Sequence, residues 1–484
     1  MPASPARLAA FAVLLRVERE SAYADELLHS SLLDPLSAPD RNLATEIVMG
    51  VLRWRPSLDN SFASLITIPL SRLDLEVRVA LRIGAYQLRF LDRMPERAIV
   101  NETVELVKSA KKRSAAGMVN AVMRKLAENR SAFPVPTEDL REDLSVDYAH
   151  PAWIIDRWIE RLGLGAAESI CRFDQEIPVT ALRIVGAKQT QTTQDAENFT
   201  IVDQKTVDQK NVGQKAVGQK TVDQIERSLE AEGIRLVPGA LLAGARRVLE
   251  GDVTKTRAFR EGSVAIQDEG SQLIAALVGK GMRILDCCAA PGSKTSALAS
   301  YWPDSEIFAT EIHPHRAALL RQMVLRQMAQ GTNVAIIVAD ACRLPFRDAF
   351  ESVLVDSPCS GTGTLAHNPE IKWKLKAEDL QDLQARQREI LASAMRHVAP
   401  GGRLIYSTCS LEREENQDVV EACLKEAPQF RLLSIREELS RLRASGELVW
   451  SNVDDLCLGD FLRTIPGIIP CDGFFAAVLE KIAL

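Results

Sequence analysis

Two cysteines stand where sulfur chemistry is possible. Cys359 lies in DSPCSGTG and Cys409 in YSTCSLEREEN, each just after a run that reads as a β-strand, SVLVDS and RLIYST. A thiolate is a strong nucleophile, and an ordinary thiol with a pKa of about 8.5 must be helped to ionise or be deprotonated as it attacks. A free cysteine is commonly a small core hydrophobe. A core residue belongs inside a strand, however, and these two sit in loops rich in Pro, Gly and Ser. If the two strands are neighbours, both sulfurs reach the same edge of one sheet, with Asp356 close to Cys359 in the same loop.

A second group of residues suits a nucleoside-containing ligand. The run RILDCC leads into DCCAAPGSKT, where Ala289, Ala290 and Gly292 permit a tight strand-to-helix turn and close approach of a ligand to backbone N–H groups. The turn has neither the G-x-G-x-x-G spacing of a dinucleotide site nor that of a phosphate-binding P-loop, and Pro291 fixes a conformation that neither requires. Glu311 ends the next strand-like run, EIFATE, where an acid accepts from ribose hydroxyls; Asp340 closes the third, placed for an adenine amino group. Either acid alone also reads as a helix cap or turn residue. Agreement among three successive strand ends favours the ligand.

The elements that must position these residues begin near residue 280. RILDCC, EIFATE, VAIIVA, SVLVDS, RLIYST and GFFAAVLEKI read as strands, with helical runs such as PHRAALLRQMVLRQM and LQARQREILASAMRHV between several of them. Such alternation implies an α/β fold with a parallel, doubly wound sheet, whose ligands bind at the carboxyl ends of the strands. Upstream, residues 1–140 read as an all-helical domain. Its last helices gather Lys108, Lys111, Lys112, Arg113, Arg124, Lys125 and Arg130, which suits either phosphates or a solvated helix face. FPVPTEDL breaks the pattern, so a linking subdomain is expected over 141–245 and the catalytic domain over 246–484. Between about 190 and 225 a five-residue unit repeats (VDQK TVDQK NVGQK AVGQK TVDQ), too polar to bury much surface and expected to be a mobile insertion.

Bulk properties narrow the classes. A chain of 484 residues, 46% hydrophobic and 26% charged, has the composition of a multidomain globular protein. No run approaches the roughly 18 apolar residues of a membrane helix. The stretch LAAFAVLL after Arg7, with Ala22-Tyr23-Ala24 beyond it, resembles a secretion signal, but Phe11, Leu14 and Leu15 fall at helical spacing and charges follow at once, so an amphipathic helix is expected. The nine cysteines show neither a C-x-x-C pair nor zinc-site spacing, so no metal is expected, and free thiols fit a reducing, cytoplasmic setting. A net charge of −6 leaves RNA binding to local patches.

The motifs together resemble the RsmB (Fmu or Sun) family of bacterial ribosomal-RNA cytosine-5 methyltransferases over nearly the whole chain. The N-terminal part is similar to that family's NusB-like RNA-binding domain through DRNLATEIVMGVLRW, LRIGAYQLRFL and VNETVELVKSAKKRSAAGMVNAVMRK. QDEGSQL, DCCAAPGSKT, DSPCSGTG with NPEIKW, YSTCSLEREEN and DGFFAAVL resemble its catalytic blocks. The resemblance implies a Rossmann-like S-adenosylmethionine-dependent sheet. Cys288, Ala289, Ala290, Pro291, Gly292, Ser293 and Lys294 would surround the methionine part, Glu311 the ribose and Asp340 the adenine, while Asp356 would face cofactor and base. It further implies that Cys409 attacks carbon 6 of the cytosine and that Cys359 assists release. The partner implied is RNA, 16S rRNA or a small-subunit assembly intermediate, bound by a monomer. Glu311 is usually Asp in the family, Ser293 usually Gly, and Ala366 stands where an arginine is common.

Two other classes fit less well. A non-enzymatic RNA-binding factor predicts lost cysteines or a broken turn after the first strand, but the cysteines are kept and the turn is intact. A methyltransferase acting on protein or a small molecule has no need of Asp-x-Pro-Cys with a second cysteine, because its reaction requires no covalent activation of a pyrimidine.

Overall fold

The computed structural model describes residues 3–20, 22–128, 144–146, 148–185, 222–327 and 333–483. Arg130, the boundary expected near residue 140, and residues 190–221 of the repeat segment lie outside the described residues. The end of the repeat does not continue as an insertion: residues 222–225 open a helix in which Ile225 is buried. Two compact units divide the chain, one of residues 1–178 with 364–375 and one of 179–363 with 376–484. The break falls at Pro178, and a catalytic domain starting at 246 would cut through a strand, Ala245–Glu250.

The first unit is helical, with α1 (Pro5–Glu20), α2 (Ala24–Leu28), α3 (Ala38–Arg53), α4 (Arg55–Ala63), α5 (Leu75–Phe90), α6 (Glu96–Ser109), α7 (Ala116–Glu128), α8 (Ala152–Leu162) and α9 (Leu164–Gln175). Phe11 and Leu14 of α1 are buried, as expected of an amphipathic helix. Arg82 of α5 is also buried, its charge met by Asp59 at 2.6 Å and Glu18 at 2.9 Å, so one guanidinium ties α5 to α4 and α1. The segment 364–375 packs into this unit through the one-turn helix Ile371–Lys374: Trp373 Nε1 donates to Leu52 O at 2.7 Å, and Arg53 Nη2 to Ala366 O at 3.0 Å. Ala366 is 1% exposed, so its side chain meets protein rather than solvent. Burial pulls the Lys372 ammonium down to about 7.

The second unit contains two sheets. β1 (Ala181–Ile184), β2 (Arg235–Pro238), β3 (Ala245–Glu250) and β4 (Val264–Ile266) form an antiparallel sheet of order β2-β3-β1-β4, with α10 (Val222–Ala231) beside it and α11 (Glu269–Leu277) following. The larger sheet is built from β5 (Arg283–Asp286), α12 (Ser293–Tyr301), β6 (Glu306–Glu311), α13 (Pro314–Gln327), β7 (Asn333–Val338), β8 (Phe350–Asp356), α14 (Asp379–Arg396) and β9 (Val398–Thr408). It continues with α15 (Gln417–Glu426), β10 (Phe430–Leu432), α16 (Ile435–Ala444), β11 (Cys457–Leu458), β12 (Phe461–Arg463) and β13 (Phe475–Lys481). The order β11-β12-β13-β9-β8-β5-β6-β7, with β10 on β13, is parallel from β9 to β7.

The expectation of a parallel sheet therefore holds from β9 to the edge strand β7 and fails on the other side of β9: β13 runs antiparallel to β9, and β10 and β12 antiparallel to β13. The short links from β11 to β12 and from β12 to β13 suffice for antiparallel neighbours, whereas a parallel strand needs a long crossover. The order reverses beside β5, since β6 lies on one side of it and β8 on the other. The loops leaving β5 and β8 thus diverge and open the crevice in which doubly wound sheets bind ligands. Both chemical groups singled out from the sequence begin there.

Candidate active site

The turn after β5 is shaped by backbone hydrogen bonds to both neighbouring strands. Cys287 N donates to Leu354 O of β8 at 2.9 Å, and Ala289 N to Thr310 O of β6 at 2.9 Å. Gly292 caps α12 at φ +114°, a conformation that favours glycine, and a β-carbon there would lie 2.6 Å from Leu320 Cδ1 and push that side chain aside. Behind the turn, Arg183 of β1 is buried, meets no carboxylate among the described residues and reaches Ser300 at 2.8 Å and Ser296 at 3.1 Å, anchoring α12; burial lowers its guanidinium to about 10.

A cavity of about 250 Å³ opens at the strand ends, and Cys288, Ala290, Glu311, Asp340, Asp356, Cys359 and Cys409 all line it. Of the other residues expected around a cofactor, Ala289, Gly292 and Lys294 are buried in or beside the turn, while Pro291 is exposed. Ser293, at the first position of α12, is partly buried. Glu311 and Asp340 also cap their own loops, accepting from His313 N and Cys342 N at 2.9 Å each. The second oxygen of Glu311 lies 3.9 Å from Arg316 Nη1, and both acids still line the cavity, so the cap and the ligand readings are compatible. The walls add Ile312, Ile390, Arg316 and Arg386, which the sequence had not singled out. Arg316 follows Glu311 in the same loop and helix start, but Arg386 enters from α14, a placement that only the folded topology provides.

The two sulfurs converge. Cys359 Sγ and Cys409 Sγ are 3.4 Å apart, because β8 and β9 are parallel neighbours with Asp356 opposite Ser407 and each cysteine leaves the end of its strand. The Cys359 thiol is held well above its usual value by its hydrogen bond with Cys409, reinforced by burial and by the negative charge of Glu415. Asp356 is fixed on both oxygens: Lys294 Nζ lies 2.8 Å from Oδ2, and Ser407 Oγ donates to Oδ1 at 2.9 Å. Burial pulls the Lys294 ammonium down, yet Asp356 and, more weakly, Cys409 outweigh it and raise its pKa.

Asp286, at the end of β5, is a buried acid that the sequence reading passed over. Thr295 Oγ1 donates to its Oδ2 at 2.8 Å. Burial pushes its pKa up to about 7, with Thr295 opposing and Asp356 adding to the rise. Its signal in the sequence was only its position before the turn.

The donor set suits S-adenosylmethionine. Carboxylates at the ends of β6 and after β7 match ribose hydroxyls and an adenine amino group, Ile312 and Ile390 offer apolar contact to a base, and Asp356 supplies negative charge near a sulfonium. No cluster of His, Cys, Asp and Glu suited to a metal ion occurs among the described residues. The basic residues of the first unit are partly engaged: Lys108 pairs with Glu105 at 2.7 Å and Lys112 with Asp74 at 3.0 Å. Lys111, Arg113, Arg124 and Lys125 lie on or next to α6 and α7.

Comparison with known proteins shows the family. Residues 276–480 match the family described as 16S rRNA methyltransferase RsmB/F, and residues 4–128 match the NusB family. The probable ribosomal RNA small subunit methyltransferase B of Bacillus subtilis is 31% identical, over 98% of this chain and 98% of its own length. The ribosomal RNA small subunit methyltransferase B of Pseudomonas syringae pv. tomato is 31% identical over 84% and 85%. Among solved structures, that of PH0851 covers 99% of this chain and all of its own at a TM-score of 0.76 and 24% identity. A methyltransferase homolog from Pyrococcus horikoshii covers 72% of this chain and all of its own at 0.54 and 22%. At these identities the two structures speak for the fold.

Proposed function

Because the chain belongs to the RsmB/F family of 16S rRNA methyltransferases, S-adenosylmethionine-dependent enzymes that act on RNA, we propose that it methylates carbon 5 of a cytosine in 16S rRNA through a covalent adduct with Cys409. The observation that carries this reading is the pair of sulfurs 3.4 Å apart beside a doubly anchored Asp356 in one cavity. A transfer to oxygen or to an exocyclic nitrogen needs no thiol. Carbon 5 of cytosine is a poor nucleophile, and adding a thiolate at carbon 6 is what makes it reactive.

When bound, S-adenosylmethionine supplies an electrophilic methyl group. Glu311 and Asp340 would hold its nucleoside end, and the turn from Cys288 to Lys294 would surround the rest. Cys409 forms a bond to carbon 6, and Asp356 hydrogen-bonds ring nitrogen 3 in its protonated form, stabilising the charge that the addition develops. Lys294 and Ser407 keep Asp356 aimed. After methylation the proton on carbon 5 passes to a base, a role that falls to Cys359 Sγ, the freed electron pair re-forms the bond between carbons 5 and 6, and the carbon 6–sulfur bond breaks to release Cys409 as a thiolate.

The target base must leave its stack to enter the cavity, which unpaired RNA makes less costly. We place the RNA backbone against Lys108, Lys111, Lys112, Arg113, Arg124 and Lys125, and take the partner to be 16S rRNA or a small-subunit assembly intermediate, bound by a monomer in the cytoplasm. All nine cysteines are free, in keeping with a reducing compartment. Among the described residues no helix is long and apolar enough to cross a membrane. Bisulfite sequencing of total RNA from a deletion strain tests the substrate: loss of one methylcytosine in 16S rRNA is expected, and loss confined to tRNA would overturn the ribosomal assignment.

A further inference from the structure

Glu415 is fully buried between the two cysteine loops and forms no ion pair among the described residues. Its carboxylate instead takes hydrogen bonds from three residues. Ser360, the neighbour of Cys359, donates its backbone N–H to Oε1 at 2.8 Å and its hydroxyl to Oε2 at 2.5 Å. Ser410, the neighbour of Cys409, donates its hydroxyl to Oε2 at 2.5 Å. Gln387 of α14 donates to Oε1 at 2.9 Å. The backbone of Glu415 is itself fixed, because Tyr406 Oη of β9 donates to its carbonyl at 2.6 Å. Next to it, Asn416 accepts from Thr408 Oγ1 at 2.5 Å and donates to Ser410 O at 2.8 Å.

A buried carboxylate is costly unless its oxygens are hydrogen-bonded, and here the donors come from both loops that carry the reactive sulfurs. Glu415 is absent from the cavity walls, so it does not meet the substrate. We propose that Glu415 is a positioning residue: its carboxylate clamps the loop after β8 to the loop after β9 and so keeps Cys359 and Cys409 in contact. This rests on the two-cysteine reading for its purpose, but the clamp itself is measurable without methyl transfer.

The readout is the rate at which diamide joins the two cysteines in the full-length reduced protein, followed by peptide mass spectrometry. Two thiols lose two protons and two electrons, the S–S bond forms, and diamide becomes its hydrazine. Glu415→Ala should slow this cross-link at least about tenfold and lower kcat by about 10- to 100-fold, with KM for RNA held within about twofold, since misplacement of reacting groups costs on that scale. Glu415→Gln should restore both to within about threefold, because an amide accepts from the Ser360 and Gln387 N–H groups and donates to hydroxyls that can rotate. Should Glu415→Ala fail to fold, Ser410→Ala, which removes one donor, should slow the cross-link by a smaller factor. Cross-linking as fast in Glu415→Ala or Ser410→Ala as in the wild type would overturn the clamp, as would a rise in KM with kcat unchanged. If the cross-link responds to Glu415 while no variant traps RNA covalently, the clamp stands and the two-cysteine reading falls.

Discussion

Cys359 and Cys409, 50 residues apart in the chain, hold their sulfurs 3.4 Å apart at the carboxyl ends of two adjacent parallel strands. The hydrogen bond between them, with burial and the charge of Glu415 behind it, holds the Cys359 thiol well above its usual value. The Lys294 ammonium, which burial pulls down, is raised by Asp356 beside it.

Asp356 is gripped on both oxygens, so its removal should damage the chemical step more than binding. Asp356→Asn keeps the size of the side chain and loses the charge that faces Lys294. Single-turnover assays should show methyl transfer falling by about 10²- to 10⁴-fold, with the Kd for cofactor changing much less. A fall confined to cofactor affinity would contradict a role at the base.

Glu311 and Asp340 line the cavity, each with one oxygen engaged as a loop cap. Loss of a hydrogen bond to a charged group costs about 1.5–3 kcal/mol, so Glu311→Ala and Asp340→Ala should each weaken S-adenosylmethionine by about 10- to 100-fold in calorimetric titration. Glu311→Ala should cost more, since Glu311 is the more buried of the two. Unchanged affinity in both would remove them from the cofactor site.

Asp286 makes stability depend on pH. Burial raises its folded-state pKa to about 7, with Asp356 adding and Thr295 opposing, whereas an unfolded aspartate titrates near about 3.9. Between those values the native state binds more protons than the unfolded chain, so this group's contribution is complete below about pH 4 and is lost as pH rises towards 7. Each pH unit in that window is worth at most about 1.4 kcal/mol. Asp286→Asn mimics the neutral acid, so its melting temperature should gain on the wild type from pH 5 to 7 and hold that gain above. A difference that does not vary with pH would show that Asp286 is ionised in the fold.

Much of this was legible in the sequence because loops at strand ends carry their own chemistry. DCCAAPGSKT, Glu311, Asp340 and the two cysteine motifs were each placed by the strand before them, and all five regions contribute to one cavity. What stayed hidden depended on pairing across the fold. Nothing in the spacing says that Lys294 meets Asp356, that Arg386 enters from α14, or that Ser360 and Ser410 share one carboxylate. The antiparallel β13 was missed because a single strand's alternation does not reveal its direction, and the small sheet from Ala181 to Ile266 because its strands are short and widely separated in the chain.

The central claim is that Cys409 forms the bond to cytosine and Cys359 helps to break it. Purified wild type, Cys359→Ala and Cys409→Ala, each incubated with unmethylated 16S rRNA and S-adenosylmethionine and run on a denaturing gel, test it directly. Cys359→Ala should accumulate a protein–RNA complex that survives denaturant, and Cys409→Ala should form none. Equal trapping by both variants, or trapping by Cys409→Ala alone, would contradict the assignment.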